Sequence, residues 1–176
     1  KEIVGRNIKF KGLILGIGIM KRTSFRNTSL ADWKEVLKVN LTTKFIVCKQ
    51  FVPILLKQNK GHIINFGSVL GTVAAYDLFS YSVSKAALIH FTKNLALELL
   101  EENILVNCIC PGFMKSQMFS NFQNKTSKHK NWVHLLKGLP KKTIQKQDVC
   151  QTVEFLLNQD SITGEIIIAD RGYSIR

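Results

Sequence analysis

Short apolar runs alternate with longer segments of helical periodicity along this chain of 176 residues. Continuous apolar runs of this kind are typical of buried strands, whereas apolar residues at every third or fourth position are typical of helices. Strands that alternate with helices predict an α/β fold, in which a parallel sheet has helices on both faces. The predicted strands cover residues 11–19, 62–66, 104–110 and 165–169.

Helical periodicity extends over residues 42–58, 81–101 and 148–157. A further helix is predicted to begin after Ser29, because a serine can cap a helix that has Asp32 in its first turn. Pro53 lies inside the first periodic segment and predicts a kink or an early end there. Segment 114–139 is polar and lacks a strand pattern, which favours a lid over a site.

Length and composition favour one soluble domain. With 176 residues and 45% hydrophobic content, the chain can bury a sizeable core, and we assign residues 1–176 to a single domain. No apolar run reaches the length expected of a membrane span. The four cysteines lack zinc or redox spacing, and Cys108 and Cys110 fall in an apolar run. We expect reduced thiols and a cytoplasmic location.

The net charge of +13 arises from 25 Lys and Arg residues against 12 Asp and Glu residues. Lysines are spread along the chain, with local density at 123–130 and 140–146. A lysine-rich solvated surface, a nucleic-acid surface and attraction to an acidic partner all fit this charge. The chain has no basic stripe interleaved with aromatic residues, which disfavours nucleic acid.

Four polar residues, Asn40, Ser68, Tyr81 and Lys85, suggest a proton-transfer site. A tyrosine hydroxyl has a pKa near 10 and needs a positive neighbour to act as an acid or base at neutral pH. Residues four apart share one helix face, so Lys85 can lie beside Tyr81. The Ser68 hydroxyl can hydrogen-bond a substrate carbonyl, and Asn40 can hold a water that relays the proton.

This ordered set, followed by Pro111 and Gly112, resembles the short-chain dehydrogenase/reductase family of the single-domain kind. The segments most similar to 3-oxoacyl-(acyl-carrier-protein) reductases are GHIINFGSVLGT, YSVSKAALIHFTKNLALEL and VNCICPGFMKSQM, and sugar-acid dehydrogenases are close behind. The similarity covers nearly the whole chain, to SITGEIIIADRGY. It implies a Rossmann-like doubly wound parallel sheet with three αβα layers, and an NAD- or NADP-dependent oxidoreductase that interconverts a carbonyl and an alcohol.

The resemblance also implies roles for individual residues. Tyr81 would transfer the proton, Lys85 would tune it and hold the ribose, Ser68 would orient the carbonyl and Asn40 would support the relay. The implied cofactor-binding residues are Gly18, Tyr81, Lys85, Pro111, Gly112, Met114 and Ser116. No metal is implied.

Three kinds of partner follow from the resemblance. The first is a small carbonyl or alcohol substrate, and the second is such a substrate carried on an acidic acyl carrier protein in fatty acid biosynthesis. The third is a further copy of this chain, since the family commonly pairs through the helix face that here carries Leu88, Phe91 and Leu95.

Part of the family's pattern is missing. The family's fold begins with a strand, a glycine-rich turn and a helix that receives the pyrophosphate, and this chain contains no such turn. Gly18 matches the glycine of a later NNAG strand, with Leu15 and Gly16 in place of its asparagines. We therefore expect a fold truncated at the N-terminus, whether as a fragment of a longer protein, a trimmed sequence or a degraded reading frame.

Two hypotheses about function stay open. The first is the oxidoreductase, with the 176-residue chain alone expected to be inactive. The second is a truncated remnant that binds no cofactor and acts at most as an oligomerisation or interaction module. A smaller departure is Arg171, which replaces a glycine of the family's DGG sequence and puts the geometry of that turn or an oligomer contact in doubt.

Overall fold

The computed structural model describes residues 9–114 and 143–175, and its centre is a four-stranded sheet. The strands lie side by side in chain order, and every neighbouring pair is parallel. They are β1 (Gly12–Leu15), β2 (Gly61–Phe66), β3 (Ile104–Pro111) and β4 (Ile166–Ala169). The predicted parallel α/β sheet is therefore confirmed.

Within the described residues, four α-helices accompany these strands. They are α1 (Leu30–Leu37), α2 (Thr43–Gln58), α3 (Phe79–Glu98) and α4 (Lys146–Leu157). A π-helical segment, Lys38–Thr42, joins α1 to α2 without a break. Single 3-10 turns occur at Phe25–Asn27, Val69–Gly71, Leu100–Glu102 and Tyr173–Ile175. Ser29 caps α1 as predicted, since its hydroxyl accepts a hydrogen bond from the Asp32 N–H at 3.0 Å.

Successive residues of β2 point to opposite faces of the sheet and meet different helices. Ile63 packs in a cluster with Cys48 of α2 and Ala96 of α3. Its neighbour Ile64 packs in another cluster, with Leu156 of α4. Helices therefore cover both faces of the sheet, which gives the three predicted layers.

Strand β1 is shorter and more exposed than its sequence predicts. It ends at Leu15, and only Leu15 among its four residues is buried. The Ile14 side chain is 48% exposed, and Ile17, beyond the end of β1, is 73% exposed. The reason is position: within the described residues β1 pairs only with β2, so it forms an edge of the sheet. Apolar composition alone does not distinguish an edge strand from a central one.

Of the two outcomes predicted at Pro53, a kink or an early end, the early end is wrong, because α2 continues through Pro53 to Gln58. A proline inside a helix removes one hydrogen bond and costs about 3 kcal/mol. Two side chains on either side of it, Cys48 and Leu55, are buried in the core. Burying such side chains stabilises the helix by an amount comparable to the proline cost.

The continuous helical stretch Leu30–Gln58 is long and apolar enough, by length and composition alone, to cross a membrane. The sequence prediction that no segment reaches that length is therefore too strict. A helix that packs on a sheet passes the same test, and α2 packs on β2 through Leu55 and Ile63. We assign the stretch to the helical layer of the α/β domain.

Candidate active site

A cavity of about 280 Å³ opens at the carboxyl ends of the parallel strands. This edge is where ligands bind in open α/β sheets. Seven residues singled out from the sequence line the cavity, namely Gly18, Ser68, Tyr81, Lys85, Pro111, Gly112 and Met114. Ser116 lies outside the described residues, as does the predicted lid 114–139 apart from Met114.

Tyr81 lies in the first turn of α3, and its side chain is 8% exposed. Burial raises the pKa of the Tyr81 hydroxyl above its usual value, because an apolar surrounding disfavours the phenolate. The nearby Ser68 hydroxyl opposes this change in pKa without reversing it. Tyr81 is consequently protonated at neutral pH.

Ser68 follows the end of β2 and caps the short turn Val69–Gly71. Its hydroxyl oxygen accepts a hydrogen bond from the Leu70 N–H at 3.1 Å. A hydroxyl has one donor and two acceptor positions. The Ser68 O–H is therefore oriented by this cap and can still donate towards the cavity.

Lys85 lies one helical turn after Tyr81, and its Nζ is 5.7 Å from the centre of the Tyr81 ring. The ammonium donates a hydrogen bond to the Phe66 carbonyl oxygen at 2.7 Å. The pKa of Lys85 is lowered to about 8, chiefly by burial and in part by the positive charge of Lys44. The sequence predicted that Lys85 would bring the Tyr81 pKa down; here burial disfavours the charged form of both side chains.

Asn40 is fully buried in the π-helical segment and does not line the cavity. Its amide nitrogen donates to the Ile19 carbonyl and to the Ser84 hydroxyl, both at 2.9 Å. Its amide oxygen accepts from the Ile19 N–H at 2.8 Å. The side chain thus holds the turn after β1, and its part in a proton relay stays a prediction.

Gly18 brings its backbone close to Asn40 and Lys85. A Cβ at Gly18 would lie 3.3 Å from the Asn40 Oδ1 atom and 3.4 Å from the Lys85 Nζ atom. The first contact is tighter than most contacts of real Cβ atoms, so a side chain here would crowd the Asn40 amide. Gly18 therefore keeps this wall of the cavity open.

Gly112 fits tightly against the C-terminal turn. Its N–H donates to the Ala169 carbonyl at 2.8 Å, and a Cβ at Gly112 would lie 2.8 Å from the Asp170 Cα atom. Asp170 in turn accepts from the N–H of Gly172 at 2.8 Å. Arg171, between them, adopts a left-handed φ of 54°, so the turn forms although this conformation is unfavourable for a residue with a side chain.

The sequence prediction missed Lys44, whose side chain is 2% exposed. Its ammonium donates to the carbonyl oxygens of Ile17 and Val39, the second at 3.0 Å. Burial lowers the pKa of Lys44 below its usual value. Lys44 lies four residues before Cys48 and eleven before Leu55, and this helical spacing could have assigned it to the buried face of α2.

Comparisons with known proteins identify the family of this chain. The profile of the family described as Enoyl-(Acyl carrier protein) reductase matches residues 1–174. The chain is 38% identical to the 3-oxoacyl-[acyl-carrier-protein] reductase FabG of Aquifex aeolicus over 164 residues, which are 91% of this chain and 64% of that protein. It thus spans less than two thirds of that relative's length.

Solved structures resemble the chain along most of its length. A 4-hydroxyisoleucine dehydrogenase complexed with NADH is 28% identical, with a TM-score of 0.84, over 94% of this chain and 69% of that one. An oxidoreductase of the short chain dehydrogenase/reductase family from Burkholderia thailandensis is 26% identical, with a TM-score of 0.85, over 97% and 67%. From the family profile, the relatives and the shared fold we conclude that the chain belongs to the short-chain dehydrogenase/reductase family.

Proposed function

We propose that this chain carries the catalytic part of an NAD- or NADP-dependent oxidoreductase that interconverts a carbonyl and an alcohol. The convergence of Ser68, Tyr81 and Lys85 on one cavity supports this reading above all. This chemistry requires three groups: a hydroxyl that donates a proton, a hydroxyl that orients an oxygen, and an ammonium that titrates near neutral pH.

The residues that line the cavity fit a nicotinamide cofactor. Gly18 and Gly112 leave room that a Cβ would fill, and Lys85 offers a buried ammonium beside them. In this proposal Lys85 and Tyr81 hold the ribose, and the backbone from Pro111 to Met114 contacts the nicotinamide ring. When bound, the cofactor supplies or accepts the hydride.

The proton comes from Tyr81. Because burial keeps its hydroxyl protonated, Tyr81 is in the form that donates to the oxygen of a carbonyl as that oxygen gains negative charge. Ser68 donates a second hydrogen bond to the same oxygen and fixes its position. Lys85, with its pKa near 8, stabilises the phenolate that remains and returns a proton to it.

The proposed substrate is a 3-oxoacyl thioester carried on an acyl carrier protein. The relative from Aquifex aeolicus is named for this reduction. Apolar side chains dominate the rest of the cavity wall, including Phe66, Leu70 and Phe113, and suit an acyl chain. The net charge of +13 would attract an acidic carrier.

We also propose that copies of the chain pair through the outer face of α2 and α3. This face shares Phe91 with the face predicted from the sequence, whereas Leu88 of the predicted face is fully buried. A shallow groove there is lined by Leu41, Phe45, His90 and Phe91. Phe45 is 50% exposed, and a contiguous apolar surface of this kind is typical of an interface.

The proposed compartment is the cytoplasm, because all four cysteines are free.

The second candidate is a non-catalytic interaction module. It applies to residues 1–176 acting on their own, since these residues contain no glycine-rich turn of the kind that holds a dinucleotide pyrophosphate. Several phosphate hydrogen bonds worth about 1.5–3 kcal/mol each would then be missing. Titrating NADH and NADPH into the chain distinguishes the two, since micromolar binding of either excludes the non-catalytic reading.

The test of the catalytic proposal is the variant Tyr81→Phe, assayed for reduction of a 3-oxoacyl thioester with NADPH and with NADH. The assay is applied to the chain and to the longest reading frame that contains it. Loss of the general acid is expected to lower kcat by about 10²–10⁴-fold while cofactor binding is kept. Tyr76→Phe is the matched control, because the Tyr76 side chain is 63% exposed. Unchanged turnover in Tyr81→Phe would exclude Tyr81 as the proton donor.

A further inference from the structure

The buried ammonium of Lys44 lies beside the turn that carries Gly18, a residue of the cavity wall. Its two acceptors, the carbonyl oxygens of Ile17 and Val39, belong to the turn after β1 and to the π-helical segment. Ile17 directly precedes Gly18, which lines the cavity, and Val39 directly precedes Asn40. Lys44 therefore ties together the two segments that present Gly18 and Asn40.

Asn40 holds the same turn at its other end. Its amide exchanges two hydrogen bonds with the backbone of Ile19, at 2.8 and 2.9 Å. Residues 17–19 are thus fixed by Lys44 at the first residue and by Asn40 at the last. Gly18 between them is held close to the Lys85 ammonium, since even a Cβ there would approach Nζ to 3.4 Å.

A clamp of this kind does not require a charge. Burying an ammonium costs several kcal/mol in lost hydration, and a neutral donor could make the same hydrogen bonds at lower cost. The charge of Lys44 does, however, act on Lys85, where it adds to the effect of burial in lowering the pKa. The other titratable groups that face Lys85 are Tyr81 on its own helix and two cysteines on β3, Cys108 and Cys110. The two cysteines raise the pKa of Lys85.

We propose that Lys44 is a positioning residue of this site, which fixes the 17–19 turn and places a second positive charge next to Lys85. The inference rests on the proposed function, in which Lys85 stabilises and reprotonates Tyr81. With Lys44 in place, Lys85 exchanges its proton close to neutral pH, as a group that returns a proton must do. Lys44 itself touches neither substrate nor cofactor.

The test follows the protonation of Lys85 directly. Protein labelled with ¹³C-lysine is titrated by NMR, and the Lys85 Cε resonance is assigned with Lys85→Arg. The wild-type midpoint is expected near pH 8. In Lys44→Met it moves to higher pH, and the unprotonated fraction of Lys85 at pH 7 falls tenfold for each pH unit of that shift. Lys44→Arg keeps the charge and the low midpoint.

Lys49→Met is the matched control, because Lys49 is an exposed lysine on the same helix and its loss should leave the Lys85 midpoint unchanged. Amide hydrogen exchange at Ile19 reports the clamp separately and should be faster in Lys44→Met. If Lys44→Met does not fold, Lys44→Gln replaces it with the same expectation.

A folded Lys44→Met or Lys44→Gln with the wild-type Lys85 midpoint would overturn the proposal. These measurements need neither cofactor nor substrate. Failure of the proposed function in the Tyr81→Phe assay and failure of the Lys44 inference are therefore separate results.

Discussion

Among the glycines of the described residues, Gly67 is the one at which an added methyl group should lower the free energy of unfolding most. A Cβ at Gly67 would lie 2.5 Å from the Cys110 Sγ atom and 2.9 Å from the Cys108 Sγ atom. Ordinary van der Waals contact begins at 3.4 Å, so the two overlaps are about 0.9 and 0.5 Å. Both cysteines are fully buried in β3, and the Gly67 N–H is bonded to the Ile109 carbonyl at 2.8 Å. Neither side of the contact can move without disturbing the sheet.

For Gly67→Ala we expect the free energy of unfolding to fall by about 1–3 kcal/mol, the usual cost of overpacking a core. The alanine also restricts the unfolded chain, which offsets at most about 1 kcal/mol of this. Urea denaturation measures the change, and the slope with denaturant should stay constant. Gly16→Ala is the matched control, because a Cβ there would meet only a Phe66 ring carbon at 3.9 Å.

A double-mutant cycle tests the cause of this loss. Cys110→Ala removes the sulfur atom that overlaps most, so the Gly67→Ala substitution should cost less in its presence than in wild type. The overlap argument is refuted if Gly67→Ala is as stable as Gly16→Ala, or if Gly67→Ala lowers the free energy of unfolding as much with Cys110→Ala as without it. Either result would show that the packing around Gly67, next to Ser68, is looser than described.

Two further predictions concern stability. Ser29→Ala removes the cap of α1 and should lower the free energy of unfolding by about 1 kcal/mol in urea denaturation, whereas Ser29→Asp keeps an acceptor and should largely preserve it. The lowered pKa of Lys85 predicts that the free energy of unfolding depends on pH. Between pH 8 and 10, Lys85 is more protonated in the unfolded chain than in the folded one. Over that range, the free energy of unfolding of wild type minus that of Lys85→Met should therefore rise with pH, by up to about 1.4 kcal/mol per pH unit. If this difference stays constant or falls, Lys85 is not held at a lowered pKa.

The order of elements could be predicted because it depends on local patterns. The strand predicted over residues 62–66 forms and is only one residue longer, since it begins at Gly61. Ser29 caps α1 as expected. The four-residue spacing of Tyr81 and Lys85 brings them to one helix face, and this follows from helix geometry alone.

The end of β1 and the hydrogen-bond partners of Asn40 could not be predicted in the same way. The apolar run 11–19 predicts a longer strand, whereas the pairing with β2 ends at Leu15, and the residues of β2 are distant in sequence. The amide of Asn40 is occupied by Ile19 and Ser84, which are 21 and 44 residues away. A motif that matches by spacing therefore does not reveal which partner each polar atom finds.

The parallel α/β order, the cap of α1 and the placement of Ser68, Tyr81 and Lys85 at one end of the sheet follow from the sequence, because they depend on periodicity and chain direction. The burial of Lys44 and the opposite changes in pKa at Tyr81 and Lys85 become apparent only in the folded chain. Desolvation and charge act on a group from all segments packed around it, and these segments are distant in sequence: Lys44 of α2 and the cysteines of β3 both act on Lys85 of α3.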